Sequence, residues 1–245
     1  MTGLKGVAIG DGFTEPYDIL AEVGTYSFHL GLLDFQERAK VEKILLNASR
    51  HHNARDFDKL HDDFDRALDY IVEKAGDVNI YDIRIDGDYE GTSTSIIELL
   101  QPYFRDEKIG AGIYGFNPEV VFDSQAEAVF DSLYTDFMQP EVQRVQFLLN
   151  KKIPILIYNG QQDLIVSSPG TMRWADKLFY DNAHEFRDKL FEAWKIGDKI
   201  VGTKKAAGLL ELRIVFKAGH LVPMDQPEAS LDMATSFVNR VVALE

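Results

Sequence analysis

Three short stretches of the chain are apolar at nearly every position: Gly6-Val7-Ala8-Ile9, Ile153-Pro154-Ile155-Leu156-Ile157-Tyr158 and Leu212-Arg213-Ile214-Val215-Phe216. Each runs into a polar turn that contains glycine: Gly10-Asp11-Gly12, Asn159-Gly160-Gln161-Gln162-Asp163 and Lys217-Ala218-Gly219-His220. Continuous, β-branched runs of this length suit strands covered on both faces, as in a parallel sheet. In such sheets, ligands and catalysis gather beyond the carboxyl ends of the strands. The polar residues stand at those ends.

Between the first two strands the period changes from continuous to helical. Phe57, Leu60, Phe64, Leu68 and Ile71 recur at spacings of three and four, with Asp58, Asp62, Asp63, Asp65, Asp69 and Glu73 on the other faces. This predicts an amphipathic surface helix with a solvated acidic side, closed by Gly76-Asp77. Further helices are expected over Thr94–Phe104 and Pro140–Asn150, and from Pro169 through Trp174 and Leu178. Phe186, Leu190 and Trp194 continue a helical period, and Pro227–Val242 reads as a last helix. The series Trp174, Phe179, Phe186 and Trp194 is expected in the core. A strand, a long helical insertion, then strand–helix–strand–helix describes an α/β fold with a cap.

Composition narrows the function classes. The 245 residues are 45% hydrophobic and 27% charged, ordinary for a globular protein, and long enough to bury a core. No apolar run approaches the roughly 18–20 residues that span a bilayer. A formal net charge of −14 opposes phosphate backbones and anionic lipid, so neither nucleic acid nor membrane is expected as a partner. The absence of cysteine excludes disulfides, thiolate metal sites and a cysteine nucleophile. Met1–Val7 shows no charged leader before a long apolar stretch, so no signal peptide is expected.

The segment Ala218-Gly219-His220-Leu221-Val222-Pro223-Met224-Asp225-Gln226-Pro227 carries the best chemistry. A histidine directly after a strand and a glycine is free to project into a site, and Pro223 and Pro227 fix the backbone behind it. Asp163 follows its own strand in the same way. A carboxylate on His Nδ1–H sets the tautomer and leaves Nε2 as general base. The order Asp…His matches that of the α/β-hydrolases. By spacing alone a second reading stands beside it: Asp163 caps the following helix, and His220 is a packed turn residue.

Leu156–Val166 together with Ala218–Pro227 resembles the acid and base motifs of serine carboxypeptidases, nearest the vitellogenic-like and retinoid-inducible branch. Leu4–Gly12 with Pro16 is similar to that family's strand and turn after the nucleophile helix. Tyr26–Asp34 is similar to its next helix. The resemblance runs over essentially the whole chain. It implies the C-terminal part of an α/β-hydrolase fold: three parallel strands, a helical cap insertion over about residues 20–150, and one partial domain over 1–245. It implies that Asp163 is the triad acid, that His220 is the base, and that Met224 lies near the pocket for the departing C-terminal residue. Asp11 stands where many members have Asn. The family's nucleophile lies in a Gly-Glu-Ser-Tyr-type elbow upstream of the matched region, and the groups that bind the substrate carboxylate lie upstream too. A peptide or protein substrate and a secreted, lysosomal or vacuolar setting follow from the resemblance.

No serine in the chain sits in a Gly-x-Ser-x-Gly elbow. Ser93 and Ser95 suit a helix N-cap, and Ser167 and Ser168 follow Asp163 too closely to form a separate triad arm. No hydrolysis by the chain alone is therefore expected. Non-catalytic binding through the cap, or acyl-transfer or lyase chemistry on the same scaffold, are the alternative functions. His51, His52 and His61 are expected on a solvated surface, and Asp82, Asp86, Asp88 and Glu90 in a polar turn, so no metal or cofactor is expected. Asn47-Ala48-Ser49 is a glycosylation triplet of the kind that arises by chance. The Gly6–Ile9 strand is expected to form an exposed apolar edge that favours self-association.

Overall fold

The computed structural model describes residues 3–86, 100–117, 119 and 126–243. One five-stranded sheet organises them, with strands β1 (Val7–Gly10), β2 (Ile155–Gly160), β3 (Glu192–Ile196), β4 (Lys199–Ala207) and β5 (Leu210–Val215). Their spatial order is β1-β2-β5-β4-β3. The three expected strands pair in parallel, with Gly10 opposite Tyr158 and Gly160 opposite Val215. This register aligns the ends of β1, β2 and β5, so their three polar turns meet at one edge of the sheet.

Strands β3 and β4 are additional and antiparallel. They correct the helical reading of Phe186, Leu190 and Trp194. A short helix, α7 (Ala183–Asp188), ends before Leu190, and Trp194 lies in β3. The hairpin turn places Gly197 at φ +58°, a backbone region that glycine enters without steric cost. Trp194 is 3% exposed on the buried face, while Phe179, expected in the core, is 80% exposed.

The long connection from β1 to β2 contains α1 (Pro16–His29), α2 (Phe35–Ala54), α3 (Phe57–Ala75), α4 (Glu127–Phe137) and α5 (Val142–Asn150). Residues 100–105 are also helical. The rest of the expected Thr94–Phe104 helix, with Ser93, Ser95, Asp88 and Glu90, lies outside the described residues. The stripe Leu60, Phe64, Leu68 and Ile71 on α3 is buried, as the period predicts. Asp63 departs from the solvated acidic face: it is buried and pairs with His51 Nδ1 at 2.7 Å. His61 departs from the expected surface as well, being 1% exposed and stacked on Tyr134 at 3.8 Å between ring centroids.

After β2 comes α6 (Ser168–Lys177), and the chain ends in α8 (Val222–Asp225) and α9 (Pro227–Ala243). Helix α1 packs tightly on α6: a Cβ at Gly170 would lie 2.5 Å from Ile19 Cα. Arg173 and Lys177 on α6 both bind Asp18 on α1. One cluster of buried residues lies between β2, β5 and α6, with Ile155, Ile157, Leu212 and Trp174 at its centre. A second joins α1, α2 and α3, and a third packs α9 on the sheet through Met233 and Phe237. Among the described residues no helix is long and apolar enough to cross a membrane.

Candidate active site

Asp163 and His220 meet at the carboxyl edge of the sheet. Asp163 Oδ2 lies 2.8 Å from His220 Nδ1. Asp163 is fully buried, whereas the His220 side chain keeps 27% of its surface open. The other carboxylate oxygen, Oδ1, accepts the backbone N–H of Val166 at 2.9 Å. Each oxygen of Asp163 thus has its own partner: Oδ1 closes the local turn and Oδ2 faces the imidazole. The expected helix cap belongs instead to Ser167, whose hydroxyl accepts from Gly170 N.

Two glycines make the approach possible. A Cβ at Gly160 would come within 2.0 Å of Gly219 O, and one at Gly219 within 2.4 Å of Tyr81 O. The turns after β2 and β5 thus touch through bare backbone, which brings their side chains within hydrogen-bonding range.

The His220 loop is held from behind by the segment Asn79–Arg84. His220 N donates to Tyr81 O at 2.7 Å, and the Tyr81 ring stands edge-on to the imidazole at 5.3 Å. Gly219 N donates to Asp225 Oδ2 at 2.7 Å. Arg84 Nη2 is 3.1 Å from the same Asp225 oxygen, while Arg84 Nε binds Asp82 Oδ1 at 2.8 Å. Arg84 Nη1 also donates to Lys217 O at 2.6 Å. The described part of the expected polar turn is a turn, and within it Asp82 is buried and Arg84 ties it to the histidine loop.

Asp11 completes the cluster, and its local sequence gives it no role. It is 6% exposed, and its Oδ1 accepts Gly160 N–H at 2.8 Å. Asp11, Asp163 and His220 each present one atom such that all three atoms lie within 4.8 Å of one another. This is a spacing that could hold a metal ion. A metal there would compete with the Gly160, Val166 and His220 hydrogen bonds that these side chains already make.

The electrostatics follow from burial. Desolvation is the largest cause that pushes the Asp11 carboxyl up to about 9, and the neighbouring Asp163 adds to it. Burial also raises Asp163 well above the usual carboxylate range. Burial lowers His220, which favours the neutral imidazole a general base requires.

Met224 stands on α8, four residues beyond His220. It is exposed and borders a shallow pocket with Tyr81, Asp82, Ile85 and Leu221. A larger cavity of about 570 Å³ is lined by His61, Phe64, Phe130, Phe137, Tyr81 and Ile165, among others. Tyr81 and Ile165 connect this cavity to the His220 loop and the Asp163 turn. Among the described residues no hydrogen bond joins His220 Nε2 to a serine hydroxyl.

The family model described as serine carboxypeptidase matches residues 1–240. The vitellogenic carboxypeptidase of Aedes aegypti is 30% identical over 244 residues, covering 97% of this chain and 50% of that protein. The venom serine carboxypeptidase of Apis mellifera is 32% identical over 257 residues, covering 96% of this chain and 50% of that protein. The retinoid-inducible serine carboxypeptidase of Mus musculus is 29% identical, covering 94% and 56%. The chain thus spans about half the length of the relatives it matches. Among solved structures, KEX1(delta)p, a prohormone-processing carboxypeptidase from Saccharomyces cerevisiae, superposes with a TM-score of 0.79 at 17% identity. That match covers 96% of this chain and 54% of the yeast one, and it supports the α/β fold.

Proposed function

The chain belongs to the serine carboxypeptidase family, and from that premise we propose that Asp163 and His220 are the acid and base of a serine-type peptidase triad acting at peptide C-termini. The observation that carries this reading is the 2.8 Å contact between His220 Nδ1 and the buried Asp163. With its proton on Nδ1 and held by Asp163, the imidazole keeps the Nε2 lone pair free for the nucleophile's proton. When charge develops on the ring, Asp163 stabilises it; when the leaving amine departs, Nε2 returns the proton. The apolar cavity beside Tyr81 and Ile165 receives a side chain of the peptide, and Met224 borders the departing residue.

In this reading the nucleophile is none of the chain's own serines, so the 245 residues alone do not form an acyl-enzyme. A fluorophosphonate probe is expected to leave the purified chain unlabelled, and a covalent serine adduct would overturn that statement. Nitrogen NMR tests the acid–base pair separately. The neutral His220 ring is expected to carry its proton on Nδ1, and a proton on Nε2 would overturn the assignment.

A further inference from the structure

Asp11 enters the site from β1, a strand that contributes neither Asp163 nor His220. Its backbone is held at both sides of the approach: Asp11 N donates to Tyr158 O at 2.9 Å, and its carboxyl Oδ1 takes Gly160 N–H at 2.8 Å. The residue adopts φ +45°, in the left-handed region that Asp tolerates better than most side chains. These restraints place a second carboxyl in the buried cluster, with one atom each of Asp11, Asp163 and His220 within 4.8 Å of the others. Two ionised carboxylates buried this close repel strongly, and one proton between them converts repulsion into a charge-assisted hydrogen bond. A carboxylate already bound by Val166 N–H on one oxygen and by His220 on the other gains a third fixed direction from that donor.

We propose that Asp11 is a positioning residue: in its protonated form it donates a hydrogen bond to Asp163 while accepting from Gly160 N–H, and so holds the Asp163 carboxylate in the orientation that receives His220 Nδ1–H. Burial of both carboxyls supports this, since desolvation pushes each upward and favours a proton on the pair. Two other groups near the pair are engaged elsewhere. Arg84 is bound to Asp82 and Asp225, and Tyr26 donates its hydroxyl to Gln161 O. The inference rests on the reading of Asp163 and His220 as a working acid and base, but its test needs no turnover.

The test uses the full chain and two variants, Asp11→Asn and Asp11→Ala, with folding followed by circular dichroism. The readout is the downfield proton resonance of His220 Nδ1–H and its exchange with water. Asparagine can still donate to Asp163 and accept from Gly160 N–H, so Asp11→Asn is expected to keep the wild-type resonance. Asp11→Ala is expected to speed its exchange by about tenfold or more, on the order of one lost hydrogen bond, or to broaden it away. A folded Asp11→Ala chain with an unchanged resonance overturns the proposal, and so does a folded Asp11→Asn chain that loses it. Carbon NMR of the aspartate-labelled wild-type chain gives a result even where the alanine variant does not fold. A protonated carboxyl at neutral pH that disappears in Asp11→Asn supports the proposal, and a fully ionised Asp11 overturns it. If the resonance is absent from the wild-type chain itself, the acid–base pairing fails as well; an effect confined to the variants concerns Asp11 alone.

Discussion

Asp225 Oδ2 accepts the backbone N–H of Gly219 at 2.7 Å, and the residue that follows Gly219 is His220. The histidine loop is therefore fixed by a carboxylate six residues downstream, which is itself held by Arg84 at 3.1 Å. Replacing Asp225 by Ala leaves Gly219 N–H and the Arg84 guanidinium short of a partner. The expected cost is about 1–3 kcal/mol, the usual range for an orphaned polar group in a largely buried setting. That corresponds to a fall in Tm of roughly 2–12 °C for a chain of this size. Asp225→Asn keeps an acceptor oxygen for Gly219 and is expected to lose less. Equal melting of wild type and Asp225→Ala would show that the loop does not depend on this contact.

Asp163→Asn is expected to fold and to change the histidine tautomer. The amide oxygen can replace Oδ1 in accepting Val166 N–H, which turns the amide NH₂ toward His220. An NH₂ cannot accept from Nδ1–H, so the ring proton moves to Nε2 and Nδ1 becomes the acceptor. Nitrogen NMR distinguishes the two forms directly. Retention of the proton on Nδ1 in the variant would mean that the carboxylate does not set the tautomer.

Much of this arrangement is legible in the order of the residues. The continuous apolar runs mark β1, β2 and β5, and the polar residues at their ends mark the side on which the site lies. The β3–β4 hairpin is hidden because Phe186, Leu190 and Trp194 fall four apart, as helix residues do. Strand β4 is hidden because it contains lysines. Lys205 is buried only because its ammonium reaches Asp176 at 2.7 Å and lies over the Phe186 ring. His61 reads as solvated because its neighbours in sequence are acidic, and the rings that cover it, Tyr134 and Phe137, arrive from far along the chain. Asp11 has no place in a local pattern, since its contact with Gly160 depends on the register between β1 and β2.

The raised carboxyl of Asp11 makes stability depend on pH in a defined direction. Unfolded, Asp11 ionises near 3.8; folded, it holds its proton up to about 9. Between those values the native state binds more protons than the unfolded state, so this group's contribution falls as pH rises, by at most about 1.4 kcal/mol per pH unit. Below the lower value both states are protonated and the penalty is absent. Asparagine carries no such linkage. Asp11→Asn is therefore expected to melt like the wild type near pH 4 and progressively above it from pH 5 to pH 8. A constant difference across that range would contradict a protonated Asp11.

The free edge of β1 gives the last prediction. Val7 N donates to Pro154 O and Asp11 N to Tyr158 O, both toward β2. By the alternation of a strand, the N–H groups of Ala8 and Gly10 point away from the sheet, and β1 has no second neighbour among the described residues. An open parallel edge flanked by Val7 and Ile9 is a template for pairing with another copy. The purified chain is expected to self-associate with rising concentration, seen as a growing mass by light scattering after gel filtration. Ala8 is exposed, so a lysine fits there without entering the core. Ala8→Lys places a charge beside the open N–H groups, and two copies paired edge to edge would bring those charges together. The variant is expected to shift the population toward monomer without lowering stability by more than about 0.5 kcal/mol, as for other surface changes. A wild-type chain that stays monomeric at high concentration, or a lysine variant that associates equally, would place any association on another surface.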